Sequence, residues 1–300
     1  MPESNTGPQV TIGLMVYNEA AYIQSTLDSI LAQKIDASFE ILISDNASDD
    51  GTGEMAQEYV QKYPELIKYH RQPRNVGIIQ NFNTLIHKST GKYFILAGAH
   101  DLWSPGYVNK LYQAIVKNDN IALVAPKTIM IDEKGEEMDQ RIGFVDTSSY
   151  ILLFRFIATL INNQNGLYGI YNLSILRKTR LQLEMFGSGA LMLSEMALIG
   201  HITFEPEAIW YRREVREKES KEKRFKRYTR VLYSKKKWVL FPHWKIPLEY
   251  LKVVFIAKVT LGQRLQLLAT WPLIFVIYFN LLAFDLVFFV KRLFKGSLSA

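Results

Sequence analysis

Two residues that can do chemistry, His100 and Asp101, follow an apolar run in the stretch FILAGAHDLWSP at 94–105. An imidazole and a carboxylate can bind a cation, transfer a proton or contact a phosphate. Three further polar pairs also follow apolar runs: Asn-Glu at 18–19, Asp-Asn at 45–46 and Arg-Asn at 74–75. These four clusters can form one site only if the fold brings them together.

The apolar runs predict strands at 10–16, 39–44, 66–71, 92–97 and 121–126, with helices up to 33 and at 52–63, 78–88 and 105–118. This alternation predicts an α/β protein with a doubly wound, mainly parallel sheet. Ligands of such sheets bind beyond the carboxyl ends of the strands, so we expect the four clusters to share one rim. The segment VYNEAAY after the first strand lacks both GxGxxG and GxxxxGK[ST], which argues against a nicotinamide enzyme and a P-loop hydrolase.

Composition sets further bounds. The 300 residues are 48% hydrophobic, enough for a large domain or a domain with an appendage, and the absence of cysteine excludes disulfides and thiolate metal sites. Thirteen Lys and Arg against four Glu between residues 212 and 237 give a net charge of +9, whereas the whole chain carries +7. The basicity therefore belongs to one segment. Because it lacks a nucleic-acid-binding motif, we expect no nucleic-acid partner.

The C-terminal part predicts an association with an anionic membrane surface, since strongly apolar runs follow the basic segment. We divide the chain into a domain at 1–215 and a helical, membrane-associated region at 216–300. The stretch 272–290 would be about 29 Å long as a helix, but Asn280 and Asp285 would be costly in mid-membrane. A span, a re-entrant helix and a hairpin on the cytoplasmic leaflet all stay open, as does a solvated helix at 216–237. The predicted membrane contacts are Lys235, Lys236, Lys237, Trp238 and Trp271.

The blocks TIGLMVYNEAAYIQSTLDSILAQ, FEILISDNASDDGT and RNVGIIQNFN, followed by the acidic turn with WSP, resemble family-2 glycosyltransferases of the A-type nucleotide-sugar fold. The resemblance covers about residues 9–213. It implies a nucleotide-diphospho-sugar donor and transfer to an acceptor hydroxyl with inversion. It implies that Asp45 contacts the base and that Tyr17, Asn18 and Glu19 line the base and ribose. It also implies that Arg74, Asn75 and Asn81 close the pocket.

The chain departs from the family pattern at the metal turn. The family's turn carries Asp-x-Asp or Asp-Asp-Asp, because a diphosphate needs a divalent cation with hard oxygen ligands. Here the three positions are Ala99, His100 and Asp101. His100 suits Mn²⁺ or a direct hydrogen bond to phosphate, and it would serve Mg²⁺ poorly.

The chain also departs at the catalytic base. The family's carboxylate falls eleven residues before Gly200, where this chain has Gly189. Glu195 lies about 240° further round a helix, so we expect a structural role for it rather than that of a substitute base. Family members often have a histidine a few residues after a YRR-like stretch, but here Tyr211-Arg212-Arg213 is followed by Glu-Val-Arg, and either arginine could neutralise phosphate charge. Other acids considered for the base, by nearness in sequence alone, are Asp132, Glu133 and Asp146.

These observations predict a glycosyltransferase at the cytoplasmic face of a membrane, acting on a lipid-linked or growing polysaccharide acceptor. Residues 140–200 would build the acceptor side. The alternative is a catalytically impaired scaffold that binds nucleotide or glycan and supports an active partner. A nucleotidyltransferase is disfavoured, since it would need a basic, glycine-rich loop after the first strand.

Overall fold

The computed structural model describes residues 7–142, 144–161, 165–214 and 241–296. Within these ranges nine strands form one sheet in the order β3-β2-β1-β4-β8-β6-β9-β5, and β7 pairs with β6. The strands are β1 Val10–Val16, β2 Phe39–Asp45, β3 Ile67–Arg71, β4 Tyr93–Gly98, β5 Leu102–Trp103, β6 Ile121–Ile131, β7 Glu137–Ile142, β8 Ile170–Asn172 and β9 His201–Arg213. The predicted Lys235, Lys236, Lys237 and Trp238 lie outside the described residues.

Ten α-helices accompany the sheet in the described part of the chain. They are α1 Ile23–Leu31, α2 Thr52–Lys62, α3 Ile78–Lys88, α4 Tyr107–Ile115, α5 Leu152–Ile161, α6 Leu173–Leu176, α7 Ser188–Ile199, α8 Lys245–Ile256, α9 Leu261–Ala269 and α10 Trp271–Gly296. The alternation predicted over residues 10–126 is therefore confirmed. The fifth predicted strand is longer than expected, because β6 continues to Ile131 along β9.

The sheet is mainly parallel, as predicted, with β5, β7 and β8 antiparallel to their partners. Strands β1 to β4 are parallel to one another, and β6 and β9 are parallel to each other. Between these two groups the short strand β8 runs antiparallel to both β4 and β6. The central strands are buried on both faces, which is why their sequences read as continuous apolar runs rather than as alternating ones.

Buried apolar side chains of the described residues form three cores, and the third joins the C-terminal helices to the rest of the fold. Phe156 of α5 and Leu191 of α7 pack in one buried cluster with Ile246 and Tyr250 of α8 and Ile274 of α10. The predicted division of the chain at residue 215 stays a prediction, but α8–α10 do share a core with α5 and α7. In the described ranges, 261–290 is the one helical stretch long and apolar enough to cross a membrane.

Candidate functional site

The polar clusters that follow β1, β2 and β4 meet at one edge of the sheet. Val16, the last residue of β1, pairs with Asp45, and Met15 pairs with Gly98 at the end of β4. The loops are tied to each other as well: the N–H of Asn18 donates to Ser48 Oγ at 3.0 Å. Asn18 has a φ of +55°, a left-handed conformation that asparagine tolerates better than most residues. The fourth cluster joins them, since Asn46 Nδ2 donates to Asn75 Oδ1 at 2.9 Å, and the convergence predicted from the strand order is therefore present.

Asp45 lies at the centre of this rim, fully buried. Its Oδ1 accepts hydrogen bonds from the backbone N–H and the hydroxyl of Ser48, at 2.9 and 2.6 Å. Its Oδ2 accepts from the Tyr69 hydroxyl at 2.6 Å and from Arg71 Nη1 at 2.9 Å. The carboxylate thus fixes the loop after β2. Arg71 was not among the predicted site residues, although it is the last residue of β3 and pairs with Asp45 at the end of β2.

The other residues assigned to the nucleotide fall into two groups. Tyr17 is 45% exposed and stands at the open edge, where Arg74 and Asn75 are also exposed. Asn81 is buried, its Oδ1 accepting from the Ser44 hydroxyl at 2.7 Å and its Nδ2 donating to the Ser44 carbonyl at 2.9 Å. The Asn81 amide therefore ties α3 to β2 inside the fold.

Glu19 and His100 form a direct pair across the rim. Glu19 Oε1 lies 3.0 Å from His100 Nδ1, and His100 Nε2 lies 4.0 Å from Asp101 Oδ1. The imidazole therefore stands between two carboxylates. Glu19 was predicted to line the base and ribose, whereas its carboxylate here contacts the imidazole of His100, in the turn after β4.

Asp101 is held on several sides and is only 3% exposed. Its Oδ1 accepts the backbone N–H of Arg213 at 3.0 Å, and a Cβ added at Gly98 would overlap its Oδ2. Burial raises the pKa of the Asp101 carboxyl, while the nearby His100 and the Arg213 N–H act in the opposite direction. The Thr26 hydroxyl contacts the carbonyls of Ala99 and Asp101 at 3.0 and 3.1 Å, which fixes the turn.

The turn fits a divalent cation in part. Two donors that bind one cation at about 2.1 Å can lie at most about 4.2 Å apart, and the 4.0 Å between His100 Nε2 and Asp101 Oδ1 falls within that limit. Glu19 contacts His100 Nδ1 in the way that a carboxylate commonly contacts, and so orients, a metal-binding histidine. No group of three or more acidic, histidine or cysteine side chains suited to a metal occurs within the described ranges. A cation here would need the remaining ligands from a diphosphate and water.

Arg213 joins the turn that carries His100 and Asp101 to the turn between β6 and β7. Its Nε donates to the His100 carbonyl at 2.8 Å, and its Nη1 donates to the carbonyls of Glu133 and Asp132 at 2.7 and 3.2 Å. The guanidinium is thus engaged with backbone oxygens and stacks over the Tyr22 ring at 5.3 Å. Its role here is to position two turns.

The three acids considered as bases differ in setting. Hydrogen bonds from the backbone N–H groups of its own turn, that of Glu136 first, lower the pKa of Asp132. Asp146 accepts the N–H groups of Ser148 and Phe204, at 2.8 and 3.1 Å. Glu133 is exposed on the turn that Arg213 holds beside His100.

The position of the family's base is covered by an apolar side chain. A Cβ added at Gly189 would lie 2.6 Å from Leu167 Cδ1. Glu195, further along α7, is buried, and it accepts hydrogen bonds from the Arg180 N–H at 2.8 Å and from Arg180 Nε at 2.6 Å. Arg180 Nη1 also donates to Glu249 of α8 at 2.7 Å. The contacts of Glu195 are those of a structural residue.

The fold is that of an α/β protein with a polar rim at the carboxyl edge of a mainly parallel sheet. Residues 11–181 match the family model described as Glycosyl transferase family 2. The chain therefore belongs to glycosyl transferase family 2.

Solved structures share the A-type fold that was predicted. The S. aureus protein TarS 1-349, solved with UDP-GlcNAc, superposes with a TM-score of 0.62 and 18% identity, covering 89% of this chain and 72% of that one. The mannosyltransferase PcManGT from Pyrobaculum calidifontis, solved with GDP-Man and Mn²⁺, has a TM-score of 0.54 and 16% identity, covering 97% and 88%.

Curated relatives match over shorter segments. The putative glycosyltransferase EpsE of Bacillus subtilis is 28% identical over 131 residues, 44% of this chain and 47% of that protein. The abequosyltransferase RfbV of Salmonella typhimurium is 36% identical over 93 residues, 31% and 28% of the two chains. The chain thus spans less than half the length of these relatives.

Proposed function

We propose that the chain is a glycosyltransferase that takes a sugar from a nucleotide-diphospho-sugar and passes it, with inversion, to a lipid-linked or polysaccharide acceptor at the cytoplasmic surface of a membrane. The observation that carries the proposal is the contact of Glu19, His100 and Asp101 at the rim of a family-2 fold. Neighbours of this fold were solved with UDP-GlcNAc and with GDP-Man and Mn²⁺. The apolar stretch 261–290 is the support for membrane association.

In this reaction the nucleotide lies over the ends of β1 and β2, with its base toward Asp45 and Tyr17 and with Arg74 and Asn75 at the outer edge. The diphosphate lies at His100 and Asp101. A bound divalent cation would supply positive charge against the leaving diphosphate. The acceptor oxygen bonds to the sugar carbon as the bond from that carbon to the diphosphate oxygen breaks, and a base takes the acceptor proton.

The chain's own residues contribute mainly by positioning. Glu19 fixes the orientation of the His100 ring, and Arg213 and Thr26 fix the backbone of the same turn. Asp101 is anchored by the Arg213 N–H, which holds its carboxylate in place. Because a carboxylate repels a diphosphate directly, Asp101 would act on the leaving group only by holding a bound cation against it.

A second function is favoured by one observation, the apolar cover of Leu167 over Gly189. In that case the chain binds nucleotide or glycan without transferring sugar and supports an active partner. The two proposals share the donor site and differ in turnover.

One titration followed by one turnover assay separates them. Calorimetry with UDP, GDP, TDP and their sugar conjugates, with and without Mn²⁺ or Mg²⁺, should find a ligand whose affinity rises with Mn²⁺. Asp101→Asn should weaken that ligand at least tenfold, whereas Asp119→Asn, at a side chain 88% exposed, should leave affinity unchanged. Release of nucleoside diphosphate in the presence of membrane extract supports transfer, and tight binding without release supports the scaffold. A folded chain that binds none of these nucleotides would refute the donor site and the transferase, and would leave a scaffold that binds glycan as the better account.

A further inference from the structure

Helix α10 has two unlike faces along its length. Ile274, Leu282 and Asp285 are buried, whereas Val276 is 71% and Phe279 65% exposed. At about 100° per residue, Asp285 lies about 180° round the helix from Val276. A helix that crosses a bilayer alone contacts lipid on every side. This one has a protein side and an open side.

The protein side carries the helix's one acidic group. Asp285 accepts the backbone N–H of His243 at 2.8 Å, and its other oxygen lies 2.7 Å from His243 Nδ1. The Phe186 ring packs against the imidazole with centroids 4.4 Å apart. A carboxylate facing lipid in mid-bilayer would cost several kcal/mol. Because Asp285 is buried against His243, the charged one of the two residues that would be costly in mid-membrane does not face the open side. Asn280 does, and an uncharged amide is tolerated at the polar boundary of a leaflet better than at its centre.

Segment 241–256 accompanies α10 over most of its length. Contacts occur at four points along α10: Trp271 Nε1 to the Pro247 carbonyl at 3.0 Å, the Tyr278 and Tyr250 rings at 6.1 Å, Trp244 Nε1 to the Leu282 carbonyl at 3.3 Å, and the Phe289 and Phe241 rings at 5.2 Å. Residues 271 to 289 cover about 27 Å of helix axis. Helix α8 is itself packed against α5 and α7 in the third core.

This packing makes a transmembrane course unfavourable. To place α10 across a bilayer, α8 and the Arg180–Glu249 pair would have to enter the hydrocarbon region with it. Charged groups at that depth are expensive even when they are paired.

The open side is apolar except for the exposed Asn280, and basic residues lie beside it or follow it in the sequence. It consists of Val276, Phe279, Leu286, Val287 and Val290, each between 46 and 71% exposed. Lys252 is 64% exposed on the neighbouring helix, and Lys291, Arg292 and Lys295 follow the stripe in the sequence. An apolar stripe bordered by lysine and arginine complements an anionic leaflet, with its acyl chains below and its phosphates at the edge.

We propose that α10 lies in the plane of the membrane, with this stripe in the outer acyl region of one anionic leaflet. The inference deepens the membrane-surface part of the proposed function and rests on it. The helix then anchors the domain to one leaflet, and the rim site is held at a fixed height above the lipid.

The chain's lack of cysteine makes a depth measurement direct. Single variants V276C, F279C, V287C and V290C of the full chain would carry a nitrobenzoxadiazole label and be bound to vesicles of phosphatidylcholine and phosphatidylglycerol. Lipids with quenchers at graded depths then report where each label lies. A label at S25C, exposed on α1, serves as the aqueous control. We expect all four labels at one shallow depth, about 5–10 Å into the interface.

The alternatives give different readings. A crossing helix would separate positions 276 and 290 by up to about 21 Å in depth, and that gradient would overturn the proposal. Absence of vesicle binding, with a dimer that hides the four labels, would assign the stripe to a second copy instead. Phe279→Glu should lower vesicle partitioning at least tenfold while leaving donor binding by calorimetry unchanged. Donor binding reports on the proposed function separately, so the failure of either proposal can be recognised.

Discussion

Replacing Glu195 by glutamine should lower stability and leave the chemistry of transfer intact. Glutamine has the same shape, but it keeps one acceptor oxygen and places an NH₂ group where the second oxygen was. Glu195 accepts two hydrogen bonds from Arg180, from the backbone N–H at 2.8 Å and from Nε at 2.6 Å. One of these donors would therefore face another donor, and the ion pair would lose its charge on the α7 side.

The expected cost follows from the burial of the pair. A hydrogen bond to a charged group contributes about 1.5–3 kcal/mol, and removal of one partner of a fully buried pair costs about 3–5 kcal/mol. The Arg180 side chain is 25% exposed and keeps its ion pair with Glu249. Because solvent and this second carboxylate still interact with the guanidinium, the loss of stability is smaller than for a fully buried pair. We expect the free energy of unfolding to fall by about 2–3 kcal/mol.

Two measurements on the same protein test this reasoning. Urea unfolding followed by circular dichroism gives the stability, and release of nucleoside diphosphate at 15 °C, where the variant is folded, gives kcat. Glu58→Gln on the exposed face of α2 is the matched control and should change stability by less than about 0.5 kcal/mol. If Glu195 were the base, kcat would fall about 10²- to 10⁴-fold with unchanged stability, and that result would refute the structural role.

Gly98→Ala should weaken donor binding at least tenfold in calorimetry, because the added Cβ would overlap Oδ2 of Asp101. The control Gly262→Ala meets nothing within 4 Å and should leave binding unchanged; equal affinity in both variants would contradict the argument. The pKa of Glu40 provides an acid-stability test: burial raises it, but hydrogen bonds, first from Lys68, lower it by more. A lowered folded pKa stabilises the fold above the unfolded value of about 4.3, and this contribution is lost as pH falls through the folded pKa. Glu40→Gln should flatten the loss of unfolding free energy between pH 5 and 3, and an unchanged slope would argue against the assignment.

Much of the sheet and the outline of the rim follow from local sequence. The apolar runs at 10–16 and 92–97 are buried on both faces, so their composition alone identifies central strands. Because parallel strands end at the same edge, the order of strands and polar clusters was enough to predict that Glu19 and His100 share a rim. The rule gives the edge, however, and not the partner: that Glu19 contacts the imidazole depends on loop conformation.

The residues that sequence reasoning missed are those whose partners lie far along the chain. From the sequence, Arg71 is only the end of a strand; the structure shows that it donates a hydrogen bond to Asp45, 26 residues earlier. From the sequence, Arg213 was a candidate phosphate contact; the structure shows that it donates to three backbone carbonyls instead. The short strand β8 is set by antiparallel pairing to β4 and β6, and three residues carry no periodicity of their own.

Two carboxylates inside apolar helices, Glu195 and Asp285, look functional in the sequence because neither belongs in an apolar run. Each is buried against a cation-forming residue from elsewhere, Arg180 for the first and His243 for the second. Both pairs also connect to segment 241–256, through Glu249 in one case and through His243 itself in the other. Since burial of a charge is tolerable only when its partner is held in place, these pairs fix the α8–α10 helices to α7, which lies within the range 140–200 predicted to build the acceptor side. A chain docked through α10 as proposed would then hold that range in one orientation relative to the membrane.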